Sequence, residues 1–135
     1  MTKLTDMQEQ IAAVTKFHEV YRIPYCENPT TEVDEGLIAL RHRLMAEENE
    51  EYLEAAKAGD LVEIADALGD MLYILCGTLI THGMQNKIEE VFREIQRSNM
   101  SKLGLDNQPI YREDGKVMKG PNYFKPDIAS ILNGR

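Results

Sequence analysis

Between residues 47 and 70 the chain carries nine carboxylates, Glu47, Glu48, Glu50, Glu51, Glu54, Asp60, Glu63, Asp66 and Asp70, against a single cation, Lys57. Like charges brought together in a partly buried site repel by on the order of several kcal/mol, and either protonation or a bound cation relieves them. All-oxygen ligation suits a hard divalent ion, Mg2+ or Mn2+, rather than zinc. Mg2+ retains several waters and pairs with substrate phosphates, so the chemistry expected here is that of a phosphorylated ligand. The plainer alternative is a solvated acidic face turned toward a basic partner.

Helical phase decides between these readings. Leu37, Leu40 and Leu44 form an apolar stripe that continues, at spacings of three and four, into Glu47/Glu48, Glu51, Ala55 and Ala58. The pattern E-E-x-x-E occurs twice, at Glu47-Glu48-Glu51 and Glu50-Glu51-Glu54, and the stripe selects the first. Glu50 and Glu54 are then expected on the solvent side, Glu54 three residues before Lys57. A second segment has Val62, Ala65, Leu68, Gly69, Leu72, Leu75, Cys76 and Leu79 as expected core, flanked by Glu63, Asp66, Asp70, Tyr73 and Gly77 on one face. Packed antiparallel about Gly59, the two segments would surround one cavity with five or six carboxylates. Acids that continue apolar stripes on two successive helices favour a metal site over a solvated face.

The elements that must position these acids are helical. The first helix is predicted from about residue 5 to 20, capped by Thr5 or Asp6, with Met7, Ile11, Val14, Phe17 and Tyr21 inward. Pro24 and Pro29 mark a loop. The second helix starts near Thr31 or Asp34 and runs to Ala58, where Gly59 stops it and Asp60 caps the third, which runs to His82. The fourth spans about 85–99, with Ile88, Val91, Phe92 and Ile95 inward. Short links make consecutive helices antiparallel neighbours, so the expected fold is all-α, an antiparallel four-helix bundle over residues 1–99. Residues 100–135 form an irregular tail, with an Asp114-Gly115 two-residue hairpin signal and a last helical turn or two in 127–132. The tail is expected to pack on or close over the site.

Composition narrows the function classes. The 135 residues are 43% apolar and 28% charged, a globular balance for one domain. The net charge is −8, with nine basic against nineteen acidic residues before position 99 and six against four from there on. Binding to a nucleic-acid polymer is disfavoured. Cys26 and Cys76 fit neither a disulfide framework nor a thiolate site. The first ten residues have no apolar signal region, and no apolar run approaches the ~20 residues of a membrane span. A cytoplasmic protein without membrane contact is expected. His18, His42 and His82 lack metal-ligand spacing, and none follows an acid by three residues, which excludes a ferritin-like E-x-x-H site.

With these residues in place, the chain resembles the all-α nucleoside triphosphate pyrophosphohydrolases, the superfamily of MazG, the dimeric dUTPases and phosphoribosyl-ATP pyrophosphohydrolase. The resemblance rests on Glu47-Glu48-Asn-Glu-Glu51, then Glu63-Ile-Ala-Asp66, within a segment that continues into the apolar run Asp70-Met-Leu-Tyr-Ile-Leu. In many relatives the E-x-x-D stands directly before that run, which would place the aspartate at Asp70 and leave Ala67 where the glutamate stands. The resemblance implies hydrolysis of an NTP or dNTP between the α and β phosphates, giving the monophosphate and pyrophosphate. It also implies metal ligation by Glu48, Glu51, Glu63, Asp66 and Asp70, with Glu47 orienting or deprotonating the attacking water.

In the tail, Asn99-Met-Ser-Lys102 is similar to an N-x-x-K element of relatives. That likeness implies that Asn99 binds sugar or base and Lys102 binds phosphates; Lys116, Lys119 and Tyr123 in the tail are candidates for closing over the site, with solvated surface side chains as the alternative for each of these residues. Phe17 could stack on a base, although a core position is the simpler expectation. The competing functions are phosphoribosyl-ATP hydrolysis, which would use the same acids, and a non-catalytic helical metal-binding dimerisation module. Relatives are dimers or tetramers, so a homodimer or homotetramer is expected.

Overall fold

Asp34 opens the longest helix by accepting the Gly36 amide on its carboxylate, and Gly59, at φ +67°, closes it with a left-handed cap. The computed structural model describes residues 7–134 and is all-α among them. Its helices are α1 (Gln8–Val20), α2 (Glu35–Ala58), α3 (Leu61–Thr81), α4 (Ile88–Met100) and α5 (Ile128–Leu132). The expected caps Thr5 and Asp6 lie outside the described residues. Of the two candidates for the start of α2, the cap is Asp34 rather than Thr31. Asp60 accepts the Glu63 amide and starts α3 immediately after Gly59, so α2 and α3 form a tight antiparallel hairpin.

The chain divides into two compact units, Met1–Asn86 and Lys87–Arg135. In the first, α3 packs against both α2 and α1. The loop before α2 is tied to the end of α3: the Cys26 amide donates to the Ile80 carbonyl and the Thr30 amide to the His82 carbonyl. The core holds Ile11, Val14, Ala55, Ala67, Cys76 and Ile80, together with buried His18, Arg41 and Thr81.

The buried faces differ from the expected ones in three helices. On α1, His18 is buried while Phe17 and Tyr21 are exposed; Phe17 sits 4.6 Å from Tyr21 and 5.6 Å from Tyr73, ring centre to ring centre. The apolar stripe therefore bends onto His18, leaving three aromatic rings at the surface. On α3, Val62, Leu68, Leu72 and Leu75 are exposed, whereas Ala67, Gly77 and Thr81 are buried. The helix has two apolar faces, and α1 and α2 cover the one that also carries Asp70. On α4, Phe92 and Ile95 are exposed, and the buried residue is Ser98.

α3 also corrects the expectation about apolar runs. Its 21 residues reach a mean hydropathy of 1.5 over one window, long and apolar enough to cross a membrane by length and composition alone. A packing helix of a bundle meets the same criterion, and Glu63, Asp66 and Asp70 along one face are costly in hydrocarbon.

In the second unit α4 packs against α5, which Asp127 caps by accepting the Ser130 amide. The hairpin signal is realised as a single antiparallel bridge, Tyr111–Val117. Asp114 draws its loop together, accepting from the Arg112 guanidinium and from the Lys116 amide at 3.1 Å.

Candidate metal centre

Glu48 and Glu51 lie one turn apart on α2, and Asp70 faces them from α3. One carboxylate oxygen from each lies within 4.8 Å of the other two. The hairpin at Gly59 brings them level: α2 and α3 run in opposite directions, and Glu48 precedes that residue by eleven positions while Asp70 follows it by eleven. The helical phase that continued the leucine stripe thus places two of the carboxylates, and the hairpin places the third.

The electrostatics follow from this crowding. Glu48 is half-buried, and its carboxyl is pushed up to about 7, first by burial and then by a hydrogen bond with Glu51 and the charges of Glu51, Asp70 and Asp66. Asp70 is raised in turn by burial and by the charges of Asp66 and Glu51. In both groups burial and the neighbouring negative charges disfavour the ionised form. Glu48 Oε2 is buried with no hydrogen-bond partner among the described residues. An orphaned carboxylate oxygen beside two further oxygen donors is a set that a hard divalent cation would satisfy.

Beside this group lies a cleft of about 430 Å³, lined by Glu51, Glu54, Asp60, Glu63 and Asp66 over a floor of Ala55, Ala58 and Ala67. Glu63 and Asp66 thus stand at the cleft rather than in the group of three, although Asp66 is close enough to raise both Glu48 and Asp70. Glu54, expected as a solvent-side charge, is exposed and also lines the cleft, because at spacings of three and four it shares a face of α2 with Glu51, Ala55 and Ala58. Glu47 is exposed and lies in neither the group of three nor the cleft lining.

In the second unit, Asn99 and Lys102 line one cavity of about 350 Å³ with Met100, Leu103, Pro109 and Val117. The Gly120 amide donates to the Lys102 carbonyl at 2.7 Å, which lays the Lys119 segment along this wall. The Lys119 ammonium stands 4.8 Å over the Tyr123 ring. Lys116 is exposed on the hairpin loop.

The sequence reading missed Arg41, which is buried on the same α2 stripe two turns before Glu48. Extending the stripe backward by seven residues from Glu48 would have reached it. His18, which lacks metal-ligand spacing in the sequence, is buried in the core. Burial and the Arg41 charge hold its imidazole below its ordinary pKa.

The family model of phosphoribosyl-ATP pyrophosphohydrolase matches residues 14–99, well over half of the chain and the whole span of α2 and α3. No curated protein matches the chain. Among solved structures, a candidate NTP pyrophosphohydrolase from Exiguobacterium sp. 255-15 shares the fold at a TM-score of 0.51 and 24% identity. The similarity covers 97% of this chain and 96% of that one.

Proposed function

Because the chain belongs to the phosphoribosyl-ATP pyrophosphohydrolase family, we propose that it hydrolyses a nucleoside triphosphate, ribo- or deoxyribo-, between the α and β phosphates with Mg2+ as its metal. The products are the monophosphate and pyrophosphate. The observation that carries this reading is the meeting of Glu48, Glu51 and Asp70 from two helices, with a buried, unpartnered oxygen on Glu48.

In this reading Glu48, Glu51 and Asp70 hold the metal, and Asp66 and Glu63 complete the acidic wall toward the cleft. A divalent cation held there would supply charge neutralisation for the phosphates and acidify a water. Glu47 is exposed and makes no hydrogen bond or ion pair among the described residues, so it is free to orient that water or accept its proton. Asn99 is assigned to sugar or base recognition, Lys102, Lys116 and Lys119 to phosphate charge, and Tyr123 to a contact beside Lys119. Phe17 and Tyr73, both partly exposed, offer an aromatic surface one turn beyond Asp70.

A homodimer or larger homo-oligomer belongs to the same proposal. Leu61, Leu68, Leu72 and Leu75 recur at spacings of seven, four and three along α3 and are all exposed, a continuous stripe that a second copy would cover.

The family match also favours a second reading, phosphoribosyl-ATP as substrate, with the same bond cleaved by the same acids. Pyrophosphate release from a panel of NTPs, dNTPs and phosphoribosyl-ATP, with Mg2+ and with EDTA, separates the two. Metal-dependent release from at least one triphosphate is expected. Turnover of phosphoribosyl-ATP alone moves the assignment to the second reading. Metal binding without any turnover would leave a helical dimerisation module and overturn both.

A further inference from the structure

Arg41 is a buried guanidinium without a counter-ion. It is only 6% exposed, and no carboxylate among the described residues lies within ion-pair distance. Burial of an unpaired cation is unfavourable, and an apolar side chain of similar volume would usually hold two helices together as well or better. Stability of the fold therefore does not account for this residue.

Its contacts point elsewhere. From α2, Arg41 Nη2 donates to the Ile74 carbonyl at 2.8 Å and Nε donates to Thr78 Oγ1 at 3.2 Å, both on α3. The Thr78 hydroxyl itself donates to the Ile74 carbonyl at 2.9 Å, so the two acceptors form one fixed pair. Gly77 supplies the room: a Cβ there would stand within 2.4 Å of Arg41 Nη2 and 3.0 Å of His18 Nε2. Arg41 is thus level with Gly77.

Seven residues further along α2 is Glu48, and seven residues back along α3 is Asp70. The helices run in opposite directions, so a contact that fixes Arg41 against residues 74–78 also fixes Glu48 against Asp70. Leucine and alanine contacts between the helices are non-directional and tolerate sliding. Hydrogen bonds to a carbonyl and a hydroxyl do not.

We infer that Arg41 is a positioning residue: it locks the axial register of α2 against α3, with Gly77 as its socket, and so holds Glu48 and Glu51 opposite Asp70. The inference rests on the carboxylate site proposed above.

The test compares wild type with R41M, R41K and G77A, reading Mn2+ affinity by calorimetry, melting in EDTA, and nucleotide turnover. R41M is expected to melt within a few degrees of wild type, yet to bind Mn2+ about 10-fold more weakly, with kcat falling in parallel and KM at saturating metal little changed. G77A keeps the arginine but displaces its guanidinium, and is expected to reproduce the R41M effect. R41K keeps the charge but cannot reach both acceptors with one fork, and is not expected to rescue.

Mn2+ affinity within about 2-fold of wild type in R41M would overturn the positioning role. Full rescue by R41K would also overturn it, since charge alone would then suffice. Loss of the folded state in both R41M and G77A would overturn it too, because Arg41 would then hold the bundle together rather than set its register. Wild type that binds Mn2+ yet turns over no nucleotide fails the proposed function and leaves this test intact. Wild type that binds no Mn2+ fails both.

Discussion

Glu48 on α2 and Asp70 on α3 each stand eleven residues from Gly59, and a carboxylate oxygen of one lies within 4.8 Å of a carboxylate oxygen of the other, with Glu51 equally near. Ionised together, these three groups repel one another, and the partial burial of Glu48 adds to the cost. This crowding costs the metal-free protein stability, and a bound cation would relieve it.

Neutralising one member should therefore separate activity from stability. E48Q, E51Q and D70N are each expected to lower turnover by more than the roughly 10- to 100-fold typical of groups behind metal ligands. The same substitutions should raise the melting temperature in EDTA by about 2 to 6 °C, because repulsion is relieved. E50Q, on the solvent side of α2, should change neither. Calorimetry in EDTA alongside pyrophosphate release checks both arms, and a lowered metal-free melting temperature in E48Q would contradict the argument.

The pH dependence has a definite sign. The Glu48 carboxyl is raised from 4.5 to about 7, so the folded protein binds more protons than the unfolded chain between those values. Metal-free stability is then fully present below about 4.5, falls as pH rises toward 7 and levels off above it, as far as this group is concerned. A divalent cation needs the ionised form, so the Mg2+-induced rise in melting temperature should grow across the same window. Melting curves from pH 5 to 8, with and without Mg2+, provide the measurement. A Mg2+ effect independent of pH would sink the assignment of Glu48 as a ligand.

The leucine stripe of α3 predicts the consequence of blocking assembly. Leu68→Glu combined with Leu72→Glu should convert the assembly to monomer in sedimentation equilibrium at micromolar concentration, because both side chains are nearly half exposed within one chain, at 49% and 45%. A wild type that is already monomeric under those conditions would refute the proposed dimer.

Two glycines with the same backbone conformation should respond differently to alanine. Gly59 has φ +67°, and an added methyl group would meet nothing within 4 Å, so Gly59→Ala should cost about 1 to 2 kcal/mol, the left-handed penalty alone. Gly83 has φ +68°, and a Cβ there would stand 2.0 Å from the Asn28 carbonyl oxygen. Gly83→Ala should cost more, about 3 kcal/mol or above, because the loop tied to the end of α3 must move as well. Urea unfolding of the two variants gives the comparison, and equal losses would show that the Asn28 contact is easily relaxed.

Much of the site was legible in one dimension. The passage of the α2 stripe from Leu37, Leu40 and Leu44 into Glu48 and Glu51 depends only on helical period, and Asp60 after Gly59 marks the hairpin. These are local properties: spacing along a helix states which residues share a face. It does not state which neighbour that face meets.

Tertiary structure decided the rest. Asp70, rather than Asp66 or Glu63, joins Glu48 and Glu51, because the hairpin sets those residues level. His18 is buried in place of Phe17, and Leu68, Leu72 and Leu75 lie outside while Gly77 and Thr81 lie inside, because α3 offers two apolar faces and α1 and α2 take only one. Arg41 became visible as the bond between two helices only when Ile74 and Thr78 stood opposite it. Periodicity is written into the chain residue by residue, whereas the choice among faces and the axial register of one helix on another are set by long-range packing.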